Sequence, residues 1–272
     1  MSEVGADYVN AFAKFKNENE VEFNLNSQNH TLKAKNFVIA AGNRPREYPG
    51  LDELAEHAIT SDDLFSLTED PGKTLVIGGG YIAVECAGFL HGLGKEVILA
   101  NRSTFLRVMD GDMAFRIVDD MEAGGMKVMK QTVPVGVKKI GEKQFEVQLK
   151  TGGKVSTVEV NTILVAIGRD AQPEKLGLAN AGIRIASSKK VEGREQERER
   201  SNIDHIYAVG DVLDGVPELM PVAQKSGKLL AHRIHQRLEG TQSEEEILSK
   251  YSTDYNLIPT TVFSPTEYSF VG

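Results

Sequence analysis

The stretch that most constrains this chain runs from residue 73 to residue 100. Lys73-Thr74-Leu75-Val76-Ile77 reads as a buried strand, and it runs directly into Gly78-Gly79-Gly80. Residues 81–93 then carry apolar side chains at helical spacing through Ile82, Cys86, Phe89, Leu90 and Leu93, with Gly94 placed to stop the helix. Glu96-Val97-Ile98-Leu99-Ala100 follows as a second strand. A strand, a glycine turn, a helix and a strand at this spacing predict a βαβ unit with its strands parallel.

Within the turn, Gly78, Gly80 and Ala83 form the pattern G-x-G-x-x-A. The first glycine permits a tight turn, and the second lets the backbone approach a pyrophosphate. The third small residue lets helix and strand pack closely, with phosphates over the helix N-terminus. A purely structural glycine turn would use the same residues, so the weight of the motif lies in its four ordered elements. The end of the second strand bears on the choice of dinucleotide. An NAD site places Asp or Glu there to hold the ribose 2′-hydroxyl. This sequence has Ala100-Asn101-Arg102-Ser103, followed by Arg107. Two guanidiniums without a carboxylate suit the 2′-phosphate of NADPH, which arginine grips bidentately. The alternative is a pair of ordinary surface arginines.

On either side of this unit the pattern is mainly β. Residues 11–16, 21–25 and 30–41 read as strands, the third ending in Phe37-Val38-Ile39-Ala40-Ala41 and Gly42. Thr60-Ser61-Asp62-Asp63 has the form of a helix N-cap. A helix is expected over 112–123 and short strands over 127–129, 135–140, 145–150 and 154–160, the middle ones as a meander. A buried strand over 162–167 ends at Gly168-Arg169. Residues 191–200 are a charge run that reads as a solvated loop or frayed helix. Residues 205–211 form an apolar strand ending in Gly210-Asp211, where Asp211 is placed to accept from ribityl or ribose hydroxyls or simply to cap the loop. An amphipathic helix is expected over 221–237, a polar linker over 242–254 and a fresh β segment over 257–269.

Composition removes several classes of function. A single cysteine, Cys86, excludes an intramolecular disulfide, a dithiol redox pair and a cysteine-rich metal site. It reads as a small buried hydrophobe. A formal net charge of -8 argues against a nucleic-acid partner, which needs a Lys/Arg surplus. No apolar run approaches the roughly 18 residues of a membrane helix, so no membrane partner is expected. The acidic, polar opening is not a secretory or transit peptide. The expected compartment is the cytoplasm, or the mitochondrion if a targeting segment precedes Met1.

Taken in order, these motifs resemble the pyridine nucleotide–disulfide oxidoreductases. The resemblance is carried by 37–45, by Gly78-Gly79-Gly80-Tyr81-Ile82-Ala83-Val84-Glu85, by Ala166-Ile167-Gly168-Arg169 and by Tyr207-Ala208-Val209-Gly210-Asp211. Leu219-Met220-Pro221-Val222-Ala223 and Ile258-Pro259-Thr260-Thr261-Val262-Phe263 add to it. Ser61-Asp62-Asp63-Leu64-Phe65, Glu85-Cys86-Ala87-Gly88 and Phe263-Ser264-Pro265-Thr266-Glu267-Tyr268 resemble the large, glutathione-reductase-like thioredoxin reductases and thioredoxin-glutathione reductases. The resemblance implies an α/β fold, a Rossmann-like NADPH-binding domain inserted in a partial FAD-binding domain of the three-layer ββα type. The implied segments are 1–65 and 173–257 for FAD, 66–172 for NADPH and 258–272 as the start of a dimerisation domain.

Roles follow position by position. Tyr81 matches an aromatic gate over the flavin, and Glu85 a carboxylate near the flavin–nicotinamide contact, with Ile82 and Ala83 on the same first turn. Arg102, Ser103 and Arg107 match a 2′-phosphate clamp, Gly168 and Arg169 a second NADPH contact, and Arg46 a third. Ala41, Gly42 and Asp211 match FAD contacts, and Glu218, Leu219 and Met220 lie beside the flavin ring. Ala41 and Met220 depart from the threonines usual there. The family passes electrons from NADPH through FAD to a disulfide, with thioredoxin or a glutathione-type substrate as acceptor, and works as a homodimer. It also uses an N-terminal flavin-binding βαβ unit, a C-x4-C redox pair and a catalytic histidine, and none of these matches here. No catalytic residue and no metal site are assigned; the six histidines read as structural or surface groups. The chain is therefore expected to be the middle of a larger reductase, inactive alone and doubtful in FAD binding. The alternatives are a non-catalytic NADPH-binding module and part of a glutathione reductase.

Overall fold

The computed structural model describes residues 5–271, which divide into two compact units: 5–44 with 170–256, and 45–169 with 257–271. Residues 45–169 of the second unit thus interrupt the first in sequence, and 257–271 follow it. Residues 45–65 pack with the second unit, because Leu54 is buried in its core beside Leu75, Ile77 and Val165.

The first unit opens with an antiparallel meander, β1 (Ala13–Asn17), β2 (Glu20–Leu25) and β3 (Gln28–Lys33). Asn26 and Ser27 form the two-residue turn between β2 and β3, both with positive φ (52° and 63°), as a right-twisted hairpin requires. The single strand expected over 30–41 is in fact two. The chain leaves the meander after β3, and Phe37–Ile39 forms a separate strand, β4.

The second unit begins with α1 (Asp52–His57) and α2 (Ser61–Leu64), the latter closed by a capping box between Thr60 and Asp63. Then come β5 (Thr74–Ile77), α3 (Tyr81–Gly92), β6 (Val97–Asn101), α4 (Gly111–Ala123) and β7 (Lys127–Lys130). An antiparallel meander follows, β8 (Thr132–Gly141), β9 (Gln144–Thr151) and β10 (Lys154–Val160), and then β11 (Thr162–Val165). β11, β5, β6 and β7 form one parallel sheet in that order. Its strands are apolar on both faces because both are covered. Leu75, Ile77, Ile98, Ile163 and Val165 pack against Val147, Leu149 and Val160 of the meander. Val76, Leu99 and Leu164 pack against α3 and α4. This is a three-layer ββα arrangement.

The face α3 buries is not the one the large apolar residues suggest. Ala83, Val84, Cys86, Ala87 and Leu90 are buried, whereas Phe89 and Leu93 are 45% and 61% exposed. Close packing selects the small side: a Cβ on Gly88 would stand 2.6 Å from Pro265 Cδ.

The chain then returns to the first unit. β12 (Ile206–Ala208) pairs in parallel with β4, Ile206 opposite Phe37. α5 (Met220–Glu239) and α6 (Glu244–Tyr251) complete it. Two expectations are corrected here. The expected linker over 242–254 contains α6, started by a capping box between Ser243 and Glu246. The charge run is not solvated throughout, since Val191, Glu197 and Glu199 are buried. The final segment returns to the second unit as a hairpin, β13 (Thr260–Val262) and β14 (Tyr268–Phe270). Among the described residues no helix is long and apolar enough to cross a membrane.

Candidate dinucleotide-binding site

The glycine turn at the carboxyl end of β5 can be read residue by residue from its backbone angles and neighbours. Gly78 has φ of 147°, and a Cβ there would meet the Ala166 carbonyl oxygen at 2.2 Å, so only glycine fits. Its N–H donates to Ala100 O at 2.9 Å, tying the turn to β6. Ala83 is buried and stands 3.1 Å from that Cβ position, the close approach for which a small residue is needed. Gly80 is the reverse case. It is exposed, and a Cβ on it would meet nothing within 4 Å, so the backbone there is open to a ligand. Gly80 is also the N-cap of α3, with no side-chain cap and no acidic residue in the first turn, whereas α1, α2, α4 and α6 all carry Asp or Glu there. The dipole at this end of α3 therefore favours an anion.

β6 ends at Asn101, and the loop beyond it presents Arg102, Ser103 and Arg107 to solvent. Two buried residues between them, Phe105 and Leu106, anchor the loop. Leu106 has φ of 46°, and its N–H donates to Gly79 O at 2.7 Å. Asp110 closes the loop by capping α4, accepting from the Asp112 and Met113 amides at 3.1 and 3.0 Å. Asn101 Nδ2 donates to Ser103 O at 3.0 Å. Leu106 carries no mark in the sequence, because a left-handed leucine has no compositional signature. Burial raises the Tyr48 phenol above its ordinary value, and the charge of Arg102 acts against that shift.

Gly168, Arg46 and Arg169 also come together in this unit. The Arg46 N–H donates to Gly168 O at 2.9 Å, and its guanidinium carbon lies 3.6 Å from the position of a Gly168 Cβ, where φ is 127°. Arg169 Nη1 donates to Asp62 Oδ1 at 2.7 Å and to Ser61 Oγ at 3.3 Å. The Ser61-Asp62 segment therefore orients Arg169.

On α3, Tyr81 is 37% exposed at the first position, and Ile82 packs half-buried against the helix-side core. Glu85 Oε1 accepts the Phe263 N–H at 2.9 Å, which joins α3 to the last hairpin. Burial raises the Glu85 carboxyl above its ordinary value, opposed by that hydrogen bond. Cys86 is buried, and its thiol is pushed up to about 11, first by burial and then by the neighbouring Glu85 charge.

In the first unit Ala41–Gly42 and Gly210–Asp211 follow the carboxyl ends of the paired strands β4 and β12, where ligands of open parallel sheets bind. Gly42 and Gly210 both have positive φ (61° and 71°), and Asp211 lies in a 3-10 turn. Glu218 accepts from Lys190 Nζ at 2.5 Å and from Asn43 Nδ2 at 3.4 Å. Leu219 is the N-cap of α5, and Met220, its first residue, is 66% exposed. Among the described residues of this unit no glycine turn leads from a strand directly into an α-helix.

Comparison with known proteins gives the family and the fold. The family model described as pyridine nucleotide-disulphide oxidoreductase matches residues 2–227. A thioredoxin reductase, SEP1, from Emiliania huxleyi is 36% identical over 278 residues, which covers 98% of this chain and 53% of that protein. The chain thus spans about half the length of this relative. A solved Cu(II) complex of the HOCl-induced flavoprotein disulfide reductase RclA from Escherichia coli superposes with a TM-score of 0.81. It is 23% identical, with 98% of this chain and 57% of that one covered, and shares the fold.

Proposed function

This chain belongs to the pyridine nucleotide-disulphide oxidoreductase family, and from that premise we propose that it is the NADPH-binding part of a thioredoxin reductase-like flavoprotein disulfide reductase. The observation that carries the reading is the open backbone at Gly80 beside a loop whose stretch from Arg102 to Arg107 bears two arginines and no carboxylate. Gly78, Gly80 and the first turn of α3 hold the pyrophosphate. Arg102, Ser103 and Arg107 take the 2′-phosphate, and Gly168 with Arg46 and Arg169 borders the same dinucleotide. Tyr81 and Glu85, on successive turns of α3, face the nicotinamide end. FAD, when bound, supplies the two-electron relay between nicotinamide and disulfide. The acceptor class is a protein or glutathione-type disulfide, and the working assembly is a homodimer.

A second reading rests on the single thiol. Cys86 is buried and its pKa is raised, so it is not a reactive dithiol partner. A chain with this one cysteine fits a non-catalytic NADPH-binding module as well. Both readings require selective NADPH binding. Calorimetry on the chain should give NADPH an affinity at least about tenfold above NADH, the equivalent of one 1.4 kcal/mol charge-assisted contact. Equal affinities would sink both.

A further inference from the structure

We propose that Asn101 is a specificity-determining residue of the dinucleotide site, holding the arginine loop against the glycine turn; this deepens the NADPH reading and rests on it. Asn101 is the last residue of β6, the position at which an NAD site carries its ribose-binding carboxylate. Here that position is a neutral amide, 7% exposed, and the amide makes two contacts. Its Nδ2 donates to Ser103 O at 3.0 Å, which closes the turn that presents Arg102. The same nitrogen lies over Gly79 so closely that a Cβ there would stand 2.1 Å away.

A side chain on Gly79 would have to displace the Asn101 amide from the space it occupies. The Leu106 N–H to Gly79 O bond, 2.7 Å, clamps the middle of the loop to the same residue. Gly79 thus meets both Asn101, which precedes Arg102, and Leu106, which precedes Arg107, and the phosphate turn and the arginine loop are held in register. Aspartate has nearly the shape of asparagine but no donor. It would set a carboxylate oxygen against the Ser103 carbonyl, and it would place a negative charge where a 2′-phosphate must approach. Serine is too short to reach Ser103 and adds no charge.

The test is calorimetry on the full chain with 2′,5′-ADP, 5′-AMP, NADPH and NADH, for wild type, Asn101→Asp and Asn101→Ser. The difference between 2′,5′-ADP and 5′-AMP isolates the 2′-phosphate. Asn101→Asp should reduce the 2′,5′-ADP to 5′-AMP affinity ratio at least about tenfold, with NADH binding held or improved, as repulsion plus a lost contact requires. Asn101→Ser should reduce the ratio about two- to fivefold without improving NADH, the scale of one neutral hydrogen bond. A merely structural role would weaken all four ligands alike, and that result would overturn the proposal, as would an unchanged ratio in both variants. Should the aspartate variant fail to fold, the serine ratio decides. A wild-type chain without any preference for 2′-phosphorylated ligands would instead overturn the NADPH reading itself.

Discussion

Arg233 on α5 donates from Nη2 to Glu199 Oε2 at 2.7 Å, with the two side chains 0% and 2% exposed. The pair is the centre of a buried polar cluster in the first unit. Arg233 Nη1 donates to the Tyr251 carbonyl at the end of α6. Its Nε stands 3.0 Å from Glu197 Oε1 without the alignment of a hydrogen bond, an ionic contact only. Thr253 and Tyr255 hydroxyls donate to the other oxygen of Glu199, and Arg237 holds Glu197 through both terminal nitrogens. Burial works against the Arg237 charge, but hydrogen bonds to Glu244 and Glu197 more than offset it and raise its pKa. The segment before β12 is thereby fastened to α5 and α6.

Removing Arg233 leaves the Glu199 carboxylate buried with no cation, held only by the Thr253 and Tyr255 hydroxyls. Arg233→Met should destabilise the chain by about 3–5 kcal/mol, seen as a lower urea midpoint. Adding Glu199→Gln to that variant should restore part of the loss, since the orphaned carboxylate is then gone. A loss below about 1 kcal/mol would show that the pair is solvated in the working protein.

Arg102→Ala should narrow the NADPH-over-NADH preference by about 1–3 kcal/mol, the range for a charge-assisted hydrogen bond. NADH binding should stay unchanged. Titration of both nucleotides against both proteins checks this, and a parallel loss for NADH would move Arg102 out of the 2′-phosphate site.

Glu85 gives a dependence on pH. Burial raises its folded pKa, so the folded chain holds this proton more tightly than the unfolded chain. The stabilisation is complete below the ordinary carboxyl value and is lost as pH rises through the folded value. Glu85→Gln keeps the Oε1 acceptor for Phe263 and removes the titration. It should raise the melting temperature by roughly 1–3 °C at pH 7, and by less at pH 4, in thermal scans. A gain that is larger in acid would contradict the assignment.

Cys86 should be inert. With its thiol at about 11 and its side chain buried, alkylation at pH 8 should require unfolding. With one thiol, the chain by itself should show no NADPH-dependent reduction of thioredoxin or oxidised glutathione, because a dithiol relay needs two cysteines within about 4.4–6.8 Å between Cα atoms. Turnover that survives Cys86→Ser, in protein freed of contaminating reductase, would refute this.

Local chemistry was legible without the fold. Gly78 and Ala83 declare the tight turn and the close helix because steric demands act on residue type directly. The apolar runs over β5, β6 and β11 declare a sheet covered on both faces. The polar break at 26–29 marks the hairpin at Asn26 and Ser27. Tertiary packing alone decided the rest. Glu197 and Glu199 look like any solvated charge run until α5 brings Arg233 and Arg237 to them, since burial of a carboxylate depends on a partner more than thirty residues away. The short, polar α6 has no helical signal strong enough to stand against its composition, and its capping box and Ile247 in the core settle it. α3 turns its small face inward and leaves Phe89 outside because the glycine turn and Pro265 set how near the helix must lie. Asn101 and Leu106 matter through what they touch, Gly79 and Ser103, and a contact across the turn has no periodicity to betray it.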